Sequence, residues 1–292
     1  MANPRAEYSP ILHRKPLRLP GNARIAVWPV INVEEWDINA PMARTVMPNP
    51  QGVGLIPDIP NFGWFDYGLR VGFWRLKQVL DRHGVRATLS LNASVCLSYP
   101  QIVRESLESG WEILGHGFTQ RVINSEPDER EVIRRSISTI KEFTGNAPRG
   151  WMGPGLAETF DTPDILVEEG IEYLCDWCND DQPYEMKVKS GRLVAIPYTV
   201  ELNDIPIYLV QHHSSPEIFQ RARDQFDTLF REGAESARVM AISTHPYITG
   251  APHRIKYYDM IFDYIRQFEG VVFMTGGEIL DWYNSVAGAR SD

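Results

Sequence analysis

With 292 residues, 43% of them hydrophobic and 23% charged, the chain is long enough to bury a core without disulfide or metal staples. That composition excludes disordered, collagen-like and coiled-coil classes. Lys+Arg 29 against Asp+Glu 38 gives a net charge of −9, which argues against a nucleic-acid binder and against docking on an anionic membrane face.

Residues 1–22 carry Pro4, Pro10, Pro16 and Pro20 and no apolar core of the signal-peptide kind, so they read as an arm wrapping a surface. Residues 23–292 read as one domain. Arg24 to Asn32 is a nearly continuous apolar run, the pattern of a strand buried on both faces of a parallel sheet. No run approaches the ~20 apolar residues a bilayer span needs. Residues 39–66 hold Pro41, Pro48, Pro50, Pro57 and Pro60 without any period, which predicts a long structureless loop, and such loops usually carry function.

Beyond residue 66 the pattern becomes regular. Leu69, Phe73, Leu76, Val79 and Leu80 predict a helix closed by Gly84, and 86–91 predicts a strand. A short helix stops at Gly110, a strand covers 111–114, and Pro127 opens a long helix stopped by Gly145. Further strands are expected at 148–152, 172–176, 193–197, 205–210, 238–243 and 270–274. Helices are expected at 161–169, 215–232, 253–267 and 276–285. This alternation of about seven strand–helix units predicts one wound α/β domain, a barrel or an incomplete one.

In such a barrel the reactive groups gather after the carboxyl ends of the strands. The polar residues there are Asn32, Glu34, Glu35, His116, Thr119, Gln120, Arg149, Asp176, Asn179, Asp180, Asp181, Thr244 and His245. Carboxylates with two histidines and an arginine suffice for acid–base hydrolysis. No G-x-S-x-G elbow, phosphate-loop lysine motif or dinucleotide glycine fingerprint is present. Each residue also has a plainer reading: Glu34-Glu35 as a solvated pair, His116 as a structural histidine, Arg149 as a surface ion pair. His212-His213 are adjacent, so in a strand at most one faces a site. The three cysteines make no disulfide framework, and Cys175-x-x-Cys178 lacks further zinc ligands, so buried thiols in a cytoplasmic protein are expected.

Seven segments in order then carry a resemblance. They are Val33-Glu34-Glu35, Tyr67 to Gly72, Asp81 to Thr88, Glu112 to Gly117, Pro148-Arg149-Gly150-Trp151, Asn179 to Tyr184, and Thr244-His245-Pro246. Over roughly residues 24 to 283 the chain resembles the polysaccharide deacetylase superfamily, and within it the branch of metal-independent allantoinases and cyclic-imide hydrolases. The resemblance implies a distorted or incomplete (β/α)7 barrel that hydrolyses a carbon–nitrogen bond in a small amide, most simply a cyclic ureide or imide.

In that family one acidic residue after the first strand is the base and its neighbour a metal ligand, with two histidines spaced H-x3-H. Here the acidic pair corresponds to Glu34-Glu35. The metal set would be Glu35 and His116, with Gln120 in the second histidine's place. An amide oxygen is a poorer ligand for zinc than imidazole. The resemblance therefore implies no required cofactor, or at most a weakly bound divalent ion such as zinc. His245 corresponds to the acid that protonates the leaving nitrogen, Asp176 to the carboxylate orienting it, and Arg149 to the arginine positioning the base. Trp151, Asp180, Asp181 and Tyr184 are the expected substrate contacts, and a backbone N–H near Gly153 or Gly155 the oxyanion donor. Relatives of this kind are often homotetramers, so a homo-oligomer is expected, with no nucleic-acid or membrane partner. Two alternatives stay open: a metal-dependent N-acetyl-sugar or peptidoglycan deacetylase, and a non-catalytic small-molecule-binding barrel.

Overall fold

The computed structural model describes residues 3–287. Strand β1, Ile25–Val33, is buried at all nine positions, as a strand covered on both faces must be. Its side chains alternate between two apolar clusters. Ala26, Trp28 and Val30 pack inside the barrel with Leu114, Tyr173, Val194 and Val239, while Ile25, Val27, Ile31 and Val33 pack outward against helices.

Parallel to β1 on one side run β2 (Thr88–Leu91), β3 (Glu112–Gly115), β4 (Gly150–Trp151), β5 (Tyr173–Leu174) and β7 (Leu193–Ala195). The short β6 (Tyr184–Met186) adds an antiparallel edge beside β7. On the other side of β1 lies β8 (Arg238–Thr244). Because β8 occupies one edge of β1 from Ile25 to Ile31, both β2 (at Val30–Val33) and β9 (Val271–Phe273, at Ile25–Val27) share the opposite edge. Among the described residues no strand closes the ring. The free edge of β8 meets irregular chain instead: Val239 N–H donates to the Asp181 carbonyl (2.9 Å) and Ser243 N–H to the Leu202 carbonyl (3.1 Å). The chain is thus the incomplete (β/α) barrel that the resemblance implied.

The helices are α1 (Ile59–Tyr67), α2 (Phe73–His83), α3 (Val95–Ser98), α4 (Pro100–Glu108), α5 (Glu129–Thr144), α6 (Thr162–Glu168), α7 (Glu217–Glu232), α8 (Ile255–Ile265) and α9 (Gly276–Ala287). In α2 the buried set Phe73, Leu76, Val79, Leu80 and His83 keeps helical spacing, and Gly84 ends it at φ 59°. Asp128 caps α5, its carboxylate accepting from Glu131 N–H at 3.0 Å. No helix among the described residues is long and apolar enough to cross a membrane.

Two expectations are corrected. Residues 39–66 are not structureless throughout, because α1 forms within them. Asp58 accepts from Asn61 N–H and Pro60 occupies the first turn, where proline starts a helix rather than breaking it. The expected strand at 205–210 is a wide helical segment, Ile205–Val210. A six-residue apolar run does not by itself distinguish a buried strand from a buried helix.

The arm is tied down at points from Arg5 to Arg18. Arg5 pairs with Asp164 at 2.8 Å and Arg14 with Asp180 at 2.6 Å. The Leu17 carbonyl accepts from Ala237 N–H and the Arg18 carbonyl from Trp282 Nε1.

Candidate active site

The alternation of β1 decides which glutamate enters the barrel. Positions 26, 28, 30 and 32 face inward, so Glu34 continues the inner row and Glu35 turns away. Glu34 is 2% exposed and held by four donors or charges. Gln120 Nε2 donates to its Oε1 at 2.8 Å, Trp36 Nε1 and Tyr247 OH each donate to its Oε2 at 3.0 Å, and His245 Nε2 stands 3.5 Å from Oε1. Burial alone would raise the Glu34 pKa, but the bond and charge of His245, with Arg44 and His116, bring it down to about 2.

His245 follows β8 directly. Asp204 lies behind it, 2.6 Å from Nδ1, and also accepts from the His245 backbone N–H (2.7 Å) and from the Thr249 hydroxyl (2.6 Å). Burial opposes the imidazolium, yet Asp204 and Glu34 on either side raise its pKa to about 9. At neutral pH the site therefore holds an ionised carboxylate beside a protonated imidazole.

His116 follows β3, and its Nδ1 lies 2.7 Å from the Met152 carbonyl. A carbonyl only accepts, so Nδ1 carries the hydrogen and the neutral ring keeps its lone pair at Nε2. Burial first, with His245 and Arg44 adding to it, lowers the His116 pKa and keeps that ring neutral. These groups border a cavity of about 180 Å³, shared with Asn32, Arg44, Tyr198 and Asn203.

Two close backbone approaches hold the His245 turn. A Cβ on Gly72 would sit 2.0 Å from the Pro246 carbonyl oxygen, and one on Gly68 would sit 2.6 Å from the Tyr247 nitrogen. The glycines of the Tyr67–Gly72 segment let this helical path lie against the chain that carries His245 and Tyr247.

The remaining expected residues lie elsewhere. Glu35 does not border the cavity; its N–H donates to Asn92 Oδ1 at 2.8 Å and its carbonyl accepts from Gln120 N–H. Arg149 precedes β4, at the amino ends of the strands, and forks onto Glu172 (2.7 Å) and Asp281 (2.8 Å), so the plainer surface-pair reading describes its contacts. Asp176 does not reach His245. Its Oδ1 accepts from Gly153 N–H at 2.8 Å, and burial with the Glu158 charge pushes its pKa well up. The carboxylate behind the imidazole is Asp204 instead. Trp151 packs outward with Ile133 and Leu166. Asp180 and Tyr184 border a separate groove against the arm, and Asp181 is exposed. His212 and His213 are exposed as well.

Asp204, Arg44, Tyr247 and Trp36 were not anticipated. Asp204 had one legible signal, an aspartate before an apolar run with proline two positions on, which is a helix start. Arg44 had none, because its segment has no period.

The family described as Polysaccharide deacetylase matches residues 63–174. A Schizosaccharomyces pombe protein assigned to the polysaccharide deacetylases is 30% identical over 298 residues, covering 89% of this chain and 90% of that protein. Among solved structures, a Pseudomonas aeruginosa PAO1 protein assigned to the same class superposes with a TM-score of 0.81 at 28% identity, covering 94% of this chain and 95% of the other. PuuE allantoinase superposes with a TM-score of 0.83 at 25% identity, covering 96% and 98%. Fold and relatives define a hydrolase of carbon–nitrogen bonds. The chain belongs to the polysaccharide deacetylase family.

That family includes metal-dependent enzymes, so the donor set has to be tested against a metal. Glu35 N–H donates to Asn92 Oδ1, which fixes the Asn92 amide so that its Nδ2 donates to Gln120 Oε1 at 3.2 Å. Gln120 in turn presents its NH2 to Glu34. An N–H therefore points where a cation between residue 120 and the carboxylate would need a lone pair. Among the described residues no group of three or more His, Cys, Asp or Glu is placed to hold a metal ion. These residues do not fit a tightly held zinc.

Proposed function

We propose that this protein hydrolyses a carbon–nitrogen bond in a small cyclic amide, of the imide or ureide kind, with Glu34 as general base and His245 as general acid. The observation that carries this reading is the line Glu34–His245–Asp204, with its 3.5 Å and 2.6 Å contacts, which sets the two protonation states before substrate arrives. A water bound beside Glu34 attacks the carbonyl carbon and gives Glu34 its proton. As the tetrahedral intermediate collapses, the carbon–nitrogen bond breaks and the nitrogen takes the His245 proton. The Glu34 proton then passes back to His245 across their contact, and the pair is reset.

Size and polarity support a small ligand. The cavity of about 180 Å³ is bordered by Glu34, Arg44, His116, Gln120 and His245, a confined polar space that suits one small ring. The unprotonated His116 Nε2 is an acceptor suited to a ligand N–H. The likeness to PuuE allantoinase favours a ureide among such rings.

The test is turnover of hydantoin, succinimide, allantoin and chitin oligomers by the wild type, Glu34→Gln and His245→Ala. The expected result is ring opening by the wild type, with each variant slower by about 10²-fold or more. Unchanged turnover in Glu34→Gln, or deacetylation of the oligomers alone, would contradict the reading.

A further inference from the structure

Arg44 stands on the aperiodic chain between β1 and α1, half-buried, and borders the cavity with Glu34 and His116. Among the described residues no carboxylate forms an ion pair with its guanidinium and no group accepts a hydrogen bond from it. The other charges of the site are matched, Glu34 with His245 and His245 with Asp204. A guanidinium offers five N–H donors in a fixed fork, and these are left for whatever occupies the cavity.

The hydrolysis described above still lacks one component. When the water oxygen bonds to the carbonyl carbon, the carbonyl π electrons move onto oxygen, and that charge needs a positive partner. Gln120 directs its amide to Glu34, and His116 is neutral with a lone pair. Of the two expected backbone donors, Gly153 N–H already donates to Asp176, which leaves Gly155 on the cavity wall. A single amide dipole is weaker than a full charge.

We propose that Arg44 binds the carbonyl oxygen of the substrate and stabilises the oxyanion formed on it, so that the loop carrying Arg44 completes the active site. This rests on the carbon–nitrogen hydrolysis proposed above. In the step concerned, the oxygen–carbon bond forms, the negative charge gathers opposite the guanidinium and the water proton goes to Glu34. Collapse returns the electrons, breaks the carbon–nitrogen bond and draws the proton from His245.

The experiment measures kcat and KM separately for the wild type, Arg44→Ala, Arg44→Lys and Glu34→Gln on hydantoin, or on whichever ring of the panel is opened. Circular dichroism verifies each fold. Arg44→Ala is expected to lose about 10²–10³-fold in kcat with little change in KM, and Arg44→Lys to fall between it and the wild type. Added guanidinium ion should restore part of the Arg44→Ala activity and none in Glu34→Gln, a rescue that a merely structural role would not show. If Arg44→Ala keeps its kcat, or changes KM alone, while Glu34→Gln is inactive, this inference falls and the acid–base reading stands. If Glu34→Gln turns over like the wild type, the reading beneath it falls. Should Arg44→Ala not fold, an Arg44→Lys kcat equal to the wild type with unchanged KM would still overturn the proposal, since one ammonium does not replace the fork.

Discussion

One residue step separates Glu34 from Glu35, and that step decides which carboxylate meets His245. The strand period of two was legible in Arg24 to Asn32, but the inward phase was not, because a strand buried on both faces is apolar at every position. His116, Gln120 and His245 were legible from their places after strands. Asp204 was legible only as a helix start, not as the partner of His245, since the carboxylate behind His245 comes from irregular chain that pairs with the open edge of β8. Its role gives a prediction. Asp204→Asn removes a negative charge 2.6 Å from Nδ1, so the imidazolium is less favoured and its pKa falls from the wild-type value of about 9. The acid must be protonated to act, so the alkaline limb of the kcat/KM profile should move to lower pH. An unmoved limb would remove Asp204 from the account. The acid limb, set by Glu34, should lie below the ordinary carboxylate range, because His245, with Arg44 and His116, favours the charged form.

Among the elements, long periodic segments were read well, and the short strands were placed but drawn too long. α2 and α5 announced themselves through apolar spacing and through Gly84 and Gly145, which adopt φ of 59° and 84°. β4 and β5 are two residues each, too short for any period, and Ile205–Val210 is apolar without one. The helical Gly68–Gly72 segment shows how an element distant in sequence from His245 can position it. Gly72→Ala places a methyl 2.0 Å from the Pro246 carbonyl, and both partners there are backbone, so the turn bearing His245 must shift. The expected cost is about 1–3 kcal/mol of stability, measured by thermal or urea melting, with a fall in kcat larger than that instability explains. A variant as stable and active as the wild type would show that this close approach positions nothing.

At the scale of the whole molecule, the alternation of strands and helices was enough to expect an incomplete barrel, and the irregular closure at β8 was not foreseeable from local pattern. The site draws on chain around residues 34, 44, 116, 204 and 245, which only the winding of the barrel brings together. The family resemblance put Gln120 where a second metal histidine is expected, but the direction of its amide depends on Asn92 and the Glu35 backbone, contacts no one-dimensional pattern contains. That direction supports the proposal that Glu34 and His245 work as an acid–base pair without a resident zinc. The most direct test is turnover of the ring substrate by protein dialysed against chelator, with its metal content measured by elemental analysis on the same sample. Far less than one metal ion per chain and a rate unchanged by dialysis are expected. A stoichiometric metal, or activity lost with the chelator and regained with zinc, would contradict the proposal.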